Sequence, residues 1–337
     1  MASAIGRFPV HPDGLIFARD VAAIHGRRDH LSRACQRGEL VRIHHGVYVD
    51  AERWSDLKPW QRFTARSRAA GLADSRVTLS HASALAIHGC PLLISDRPVE
   101  ALVAGVRRGH RTPHIHYRGT GHPDAFTEIV DGVTVTSLAR SLAEFAPRST
   151  VSEAVVALDW ALRPSPRNRE ERVTRDEVRD AADAVSVTRG RRRLEFALAF
   201  ADERSESAGE SYSRVLIAML GFVAPDLQHV ISLDTGGLAR VDFRWPGQRL
   251  VGEFDGLDKY RSAEMRQGKS AGEVVMEEKR REDAIRRAGE GVARWEWWHL
   301  YEPARLATVL TRAGVPRRHR APMSAHFHPR DVQVNAG

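Results

Sequence analysis

The stretch RVDFRWPGQRLVGEFDG, Arg240 to Gly256, limits what this chain can fold into more than any other. It reads as two short strands joined by a turn at Pro246-Gly247, a residue pair suited to chain reversal. Side chains on a strand alternate faces, so Glu253 and Asp255 share a side, and the hairpin return carries Asp242 alongside them. Carboxylates gathered at one sheet end repel each other unless a cation sits among them. A divalent metal held by oxygen ligands is the expected cation, and phosphate chemistry its expected use. The other arrangement these residues allow is structural: Asp242 and Asp255 cap turns while Glu253 pairs with an arginine such as Arg240.

The flanking pattern extends the hairpin into a unit. ESYSRVLIAMLG reads as a helix with Glu210 at its start, and HVISLD as a strand before the hairpin. EVVMEEKRREDAIRRAG reads as a long amphipathic helix, and VARWEWWHL as a closing strand. The order helix, three strands, helix, strand predicts an α/β core with helices on both faces of a central sheet. On the long helix, Lys279 and Arg280 are the candidates for approaching the carboxylates; its other basic residues are balanced by Glu277, Glu278, Glu282 and Asp283 on a solvated face. Trp295, Trp297 and Trp298 offer a stacking platform for unpaired bases, although the shared face of Trp295 and Trp297 favours packing under a helix.

The N-terminal segment has a different character. FARDVAAIHG suggests a short helix ended by Gly26, RRDHLSRACQRG a second ended by Gly38, and ELVRIHHGVYVD two strands around a His44-His45-Gly46 turn. Helix, helix, hairpin is the order of a winged helix-turn-helix. In that arrangement the second helix presents Arg27, Arg28, His30, Arg33 and Arg37 to double-stranded DNA, and Arg42, His44 and His45 on the hairpin meet phosphates or a minor groove.

Between Trp60 and Ala146 the chain reads as an α+β region: helices at WQRFTARSRAAGLA, LSHASALAIHG and LARSLAEFA, strands at VEALVAGVR, PHIHYRG and EIVDGVTVTS. His114 and His116 alternate on one strand, but no third metal ligand accompanies them and a surface role is expected. RPSPRNREERVTRDE reads as a flexible connection, and the helical pattern on either side of it as a linker. Past Gly314 periodicity is lost, and a disordered basic tail is expected.

Composition narrows the class. With 337 residues, 42% hydrophobic and 28% charged, the chain has the make-up of a globular protein of more than one domain. No apolar run reaches membrane-spanning length and the N-terminus lacks a signal-peptide layout, so a cytoplasmic location and no membrane partner are expected. Cys35 and Cys90 are too few for a disulfide framework or a cysteine-based zinc site. A formal net charge of +8 favours a polyanionic partner.

The C-terminal order, with Glu210 before the sheet, Asp242 on its second strand and Glu253-Phe254-Asp255 on its third, resembles the PD-(D/E)xK nuclease superfamily. The joint pattern of VDFxxP, LVGEFDG and the later KRRED helix looks most like the branch related to very-short-patch-repair endonucleases. That resemblance implies Mg²⁺ or Mn²⁺ held by Asp242 and Glu253, with Glu210 a third ligand, and hydrolysis of DNA phosphodiesters. The superfamily places a lysine two residues after the acidic residue of the third strand; Asp255 stands there, leaving Lys259 or Lys279 to supply the cation. The N-terminal half, through RDVAAIHGRRDHLSRACQRGELVRIHHGVYVD and above all LSHASALAIHG and TSLARSLAEFA, is similar to AbiEi-type antitoxins of type IV toxin-antitoxin systems. That similarity implies operator binding and a cognate toxin as partner.

The expected fold class is therefore mixed α/β: a winged helix-turn-helix over 1–58, an α+β region over 59–150, a helical linker over 151–207, a restriction-endonuclease-like α/β core over 208–314 and a basic tail over 315–337. Two functions compete. One is a DNA-binding protein whose C-terminal domain hydrolyses DNA with Mg²⁺; the other is a non-enzymatic regulator or antitoxin with a degenerate nuclease fold.

Overall fold

A computed structural model of the chain describes residues 7–25, 29–93, 97–104, 109–120, 122, 125–165, 172–234, 236–256 and 271–318. It is mixed α/β with three sheets, as the sequence pattern predicts, and divides into two compact units: residues 1–148 with 173–191, and residues 149–172 with 192–336.

The first unit opens with β1 (Leu15–Phe17), α1 (Ala18–His25), α2 (Asp29–Gln36), β2 (Leu40–His44) and β3 (Val47–Asp50). Its strands form an antiparallel sheet in the order β1-β3-β2. The second helix and the hairpin end on Gly38 and Gly46, whose φ values of 73° and 71° suit a residue without Cβ. Leu31 and Ala34 join Ile16, Val21 and Leu40 in a core. Their i, i+3 spacing buries one face of α2 and leaves His30, Arg33 and Arg37 exposed.

The same unit continues through α3 (Ala51–Asp56), capped by Asp50, and α4 (Pro59–Ala73), which has proline in its first turn. A five-stranded mixed sheet follows from β4 (Thr78–Leu79), β5 (Val99–Ala104), β6 (Ile115–Thr120), β7 (Thr127–Val130) and β8 (Val133–Thr136), in the order β6-β5-β4-β8-β7. Helix α4 and the short α5 (His81–Ile87), buried along its whole length, pack on the sheet, and α6 (Leu138–Phe145), capped by Ser137, packs on α5. Residues 173–191 belong to this unit again and hold α8 (Arg175–Ala184), which packs on α6.

The second unit holds the expected helix, three-strand, helix, strand order. It begins with α7 (Val151–Leu162) and α9 (Arg191–Phe200), then α10 (Ala208–Met219), β9 (Asp226–Ser232), β10 (Leu238–Trp245) and β11 (Leu250–Asp255). After α11 (Ala271–Arg287) come β12 (Gly291–Glu296), α12 (Trp297–Tyr301) and α13 (Pro303–Arg312). The sheet order is β12-β11-β10-β9, with β11 and β12 parallel and the other pairs antiparallel. A parallel pair needs a long crossover, and α11 lies within it. At the β10–β11 return, Pro246–Gln248 form a turn of 3-10 helix, and the left-handed residue is Arg249 at φ 47°, not Gly247.

Three differences from the sequence expectation have physical causes. The segment 151–207, expected as a linker, carries core helices: eleven of the twelve residues of α7 are buried, and α7 packs on α10. A helix apolar all round is an interior helix. Within it Asp159 is fully buried; its Oδ2 pairs with Arg214 at 2.6 Å, and its Oδ1 accepts the Asp202 backbone N–H at 2.8 Å. The closing strand stops at Glu296, because Trp297 begins a helix and the alternation ends there. Trp295 is fully buried and its indole N–H donates to Ser213 on α10 at 2.8 Å, while Trp297 packs edge-on against Phe254. Of the expected tail, residues 316 and 318 are hydrogen-bonded to Val223 and Gly221, and 319–337 lie outside the described residues.

Gly252 sits on β11 between two buried tryptophans. A Cβ there would stand 2.5 Å from Trp295 Cη2 and 3.0 Å from Trp245 Cζ3. Gly252→Ala is therefore expected to destabilise the second unit by about 1–3 kcal/mol, the cost of overpacking a filled core, as read by urea unfolding followed on tryptophan fluorescence. No described helix is long and apolar enough to cross a membrane.

Candidate functional site

The basic face of the first unit centres on α2. Arg7, His30, Arg33 and Arg37 line a shallow groove of about 280 Å³ with Phe8 at its base. Positions 30, 33 and 37 fall on one helical face because they are spaced three and four apart. Arg37 is forked onto Glu39, its Nε and Nη2 donating at 2.7 and 3.0 Å, and Arg7 lies 3.8 Å from the same carboxylate. Arg33 has no ion-pair partner among the described residues. On the hairpin, Arg42 Nη2 lies 3.0 Å from His45 Nδ1 and its Nε donates to the His44 carbonyl at 3.4 Å. Arg27 and Arg28, the other two basic candidates of this helix, lie outside the described residues.

His44 differs from the rest of this set. Its ring lies 5.9 Å from that of His114, and burial, followed by the neighbouring His114, His45 and Arg42, pushes its pKa down from 6.5 to about 4. It is therefore neutral at pH 7 and brings no charge to a phosphate. A histidine with a depressed folded pKa gives stability that is complete above 6.5 and is lost as pH falls through about 4. Hydrogen exchange of the β2–β3 amides should accordingly speed up as pH is lowered across that window relative to His44→Asn, after correction for intrinsic exchange. Equal pH dependence in the two proteins would contradict this.

The acidic cluster of the second unit is built by β11, β12 and α11. Arg294 is the register partner of Glu253 across the parallel pair, and the two point to the same side. Its Nη2 lies 2.8 Å from Glu253 Oε2, its Nη1 3.0 Å from Glu278 Oε1 and 3.4 Å from Asp255 Oδ2, and its Nε 3.2 Å from Glu282 Oε2. One guanidinium thus meets four carboxylates. The Nη2 and Nε contacts are close but off the hydrogen-bond direction, so charge more than directional bonding holds them. Burial alone would lower the Arg294 pKa, but Glu253, Asp255 and Glu278 more than reverse this and raise it. The second oxygen of Glu253 lies 2.9 Å from Arg281 Nη1, whose other terminal nitrogen donates to the Arg240 carbonyl at 2.6 Å.

The remaining candidates are placed as follows. Asp242 accepts the backbone N–H of Phe254 at 2.9 Å, which sets it beside the end of β11. Glu210 works inside the N-terminal turn of α10: its oxygens accept from Ser207 Oγ at 2.8 Å, the Glu206 backbone at 2.9 Å and Gln228 Nε2 at 2.8 Å. Lys279 and Arg280 are exposed, because the inward face of α11 is Glu278, Arg281, Glu282 and Ile285. Lys259 lies outside the described residues. Arg240 pairs with Glu206 at 2.6 Å, so the arginines on Glu253 are Arg281 and Arg294.

These contacts bear on the expected metal. A Mg²⁺ ion asks for near-octahedral oxygen ligation, yet both oxygens of Glu253 face guanidinium groups and both oxygens of Glu210 accept hydrogen bonds. Among the described residues no group of three or more His, Cys, Asp or Glu side chains is arranged to hold a metal ion. The residues in this arrangement do not fit the ion.

No protein-family model matches the chain. Two Mycobacterium tuberculosis proteins, the uncharacterized protein Rv2248 of strain ATCC 25618 / H37Rv and the uncharacterized protein MT2308 of strain CDC 1551 / Oshkosh, are each 30% identical to it over 238 residues. The alignment covers 68% of this chain and 79% of each relative. The chain belongs to the family of these mycobacterial proteins. The matched length exceeds either compact unit, so this family is related across parts of both units and not through one shared module.

Sequence reasoning about this family member missed the two arginines that organise the acidic cluster. The signal for Arg294 was present in GVARWE: Ala293 and Trp295 are buried on one face, which leaves Arg294 on the face that Glu253 also uses. For Arg281 the signal was its i+3 spacing from Glu278, which places it on the inward stripe of α11.

Proposed function

We propose that the protein is a double-stranded-DNA-binding regulator that holds DNA without hydrolysing it. The observation that carries the reading is the groove on the outer face of α2, where Arg7, His30, Arg33 and Arg37 converge. In this reading β1, α1, α2 and the β2–β3 hairpin act as a winged helix-turn-helix: α2 enters the major groove, Arg33 reaches base edges or phosphate, and Arg42 on the wing meets the backbone. The second unit has a nuclease-like layout in this proposal, with its metal position taken by Arg294 and its acidic face repelling phosphate. The resemblance to AbiEi-type antitoxins extends the reading to control of the protein's own promoter, with a cognate toxin as a further partner.

Fluorescence anisotropy with a labelled duplex from the upstream region of the protein's own gene tests this. Arg33→Ala is expected to weaken binding about tenfold, about 1.4 kcal/mol, and to flatten the dependence of affinity on salt by close to one phosphate contact. Arg280→Ala, on the exposed side of α11, should leave affinity unchanged. Equal affinity of wild type and Arg33→Ala would contradict the assignment of α2 as the DNA-facing helix.

A further inference from the structure

The two sequence blocks LSHASALAIHG and TSLARSLAEFA meet in the first unit at a feature that DNA binding does not use. His81 opens α5 directly after its N-cap Ser80, with φ +51° and a ring that is almost fully buried. A non-glycine residue at positive φ carries strain that packing must offset. Its Nδ1 lies 3.0 Å from Ser80 Oγ and 3.6 Å from Glu144 Oε2. Its Nε2 and Glu144 Oε2 are both buried and have no hydrogen-bond partner among the described residues. Buried polar atoms are rarely left so, and each asks for a reason.

Both residues line a cavity of about 410 Å³, within the size range of small-molecule sites. Arg118, Arg148 and Arg189 line it too. Arg118 is spent on Glu100, to whose Oε1 its Nε and Nη2 donate at 3.1 and 2.5 Å. Among the described residues Arg148 donates only to the Glu144 carbonyl, at 3.3 Å, and Arg189 has no ion-pair partner. Two guanidiniums are thus available for an anion, and Arg148 gains from one, since burial and then the like charge of Arg118 lower its pKa.

We infer that this cavity binds a phosphorylated small molecule of mononucleotide size, with Arg148 and Arg189 on the phosphoryl group and His81 Nε2 on the ligand. A hydrolytic triad is not what the geometry builds. Ser80 and Glu144 both stand at Nδ1, so the imidazole cannot take a proton from the serine through one nitrogen while the carboxylate steadies the other. The free Nε2 is instead a ligand-facing group. Burial keeps His81 neutral in the empty cavity, against the opposing pull of Glu144 on α6 and Glu100 on β5, while Arg148 and, on β6, Arg118 also disfavour its charge, and His116 lines the same cavity. A phosphoryl dianion adds the negative charge that favours protonation, so binding takes up a proton and tightens as pH falls.

Isothermal titration of the full chain with 5′-AMP tests the inference, at pH 7 and pH 8.5, where the phosphoryl group, with a second pKa of about 6, is a dianion, and in buffers of different ionisation enthalpy. Saturable binding is expected, tighter at pH 7 than at pH 8.5, with proton uptake that His81→Asn abolishes; asparagine tolerates positive φ, and an unchanged melting temperature verifies the fold. Arg189→Ala, which breaks no ion pair among the described residues, should weaken binding about tenfold. Absence of saturable heat at millimolar 5′-AMP, or equal binding in both variants, would overturn the proposal, leaving a cavity that holds water alone. Inorganic phosphate binding as tightly as 5′-AMP would overturn the assignment of ligand size. These outcomes do not depend on whether α2 contacts DNA.

Discussion

Arg294→Ala is expected to destabilise the second unit by about 3–5 kcal/mol, the loss typical when one partner of a buried ion pair is removed. The size follows from what is left behind. Glu253 is nearly inaccessible, and without Arg294 it would keep only Arg281, while Asp255, Glu278 and Glu282 would face it with one cation fewer among them. An exposed pair would cost at most about 1 kcal/mol, so the two cases separate cleanly in urea unfolding. Arg294→Lys should fall between, because an ammonium carries the charge but cannot present three nitrogens in a planar fork. Glu253→Gln combined with Arg294→Ala should recover part of the loss, a coupling that a double-mutant cycle reads directly. A loss in Arg294→Ala no larger than that of a surface pair would show that the cluster is not held by its arginine.

The second large effect belongs to Asp159. Burial raises its pKa from 3.8 to about 6, against the opposing pull of Arg214 and the hydrogen bond from the Asp202 backbone. Arg214 also donates to the Phe200 carbonyl at 2.7 Å, so this pair ties α7 and α10 to the end of α9. Arg214→Met leaves a buried carboxylate without its cation, and a loss of about 3–5 kcal/mol is expected at pH 8. The sign with pH is fixed by the direction of the shift. A carboxyl with a raised folded pKa gives stability that is complete below 3.8 and is lost as pH rises through about 6. At pH 5 much of Asp159 is already protonated in the wild type, so the gap between wild type and Arg214→Met should be smaller there than at pH 8. A gap that is equal at the two pH values would contradict the account of Asp159 as a carboxyl that ionises at a cost.

Much of the fold was legible because its elements announce themselves locally. Gly38 and Gly46 mark where α2 stops and the first hairpin turns, Ser80 stands at the N-cap position of α5 and Ser137 caps α6, and the alternation of LVGEFD specifies β11. What was not legible depends on distance along the chain. β1 is only three residues long and exists because Val49 pairs with Leu15. The 151–207 segment reads as a linker because of its proline and charge run, yet α7, with eleven of its twelve residues buried and a Thr150–Glu153 capping box, is a core helix. The acidic cluster shows the same limit. Alternation correctly placed Glu253 and Asp255 on one side and correctly demanded a cation. It could not say that the cation is a side chain 41 residues beyond Glu253, brought into register only when β12 pairs with β11.

A protein that holds DNA and leaves it intact, as proposed above, should spare a plasmid that it binds. The most direct measurement incubates supercoiled plasmid with the full chain in Mg²⁺ and then in Mn²⁺, at protein concentrations where retardation shows the DNA to be bound. The account predicts bound, uncut plasmid with the wild type and with Asp242→Asn and Glu253→Gln alike. Nicking or linearisation by the wild type that disappears in Glu253→Gln would contradict it.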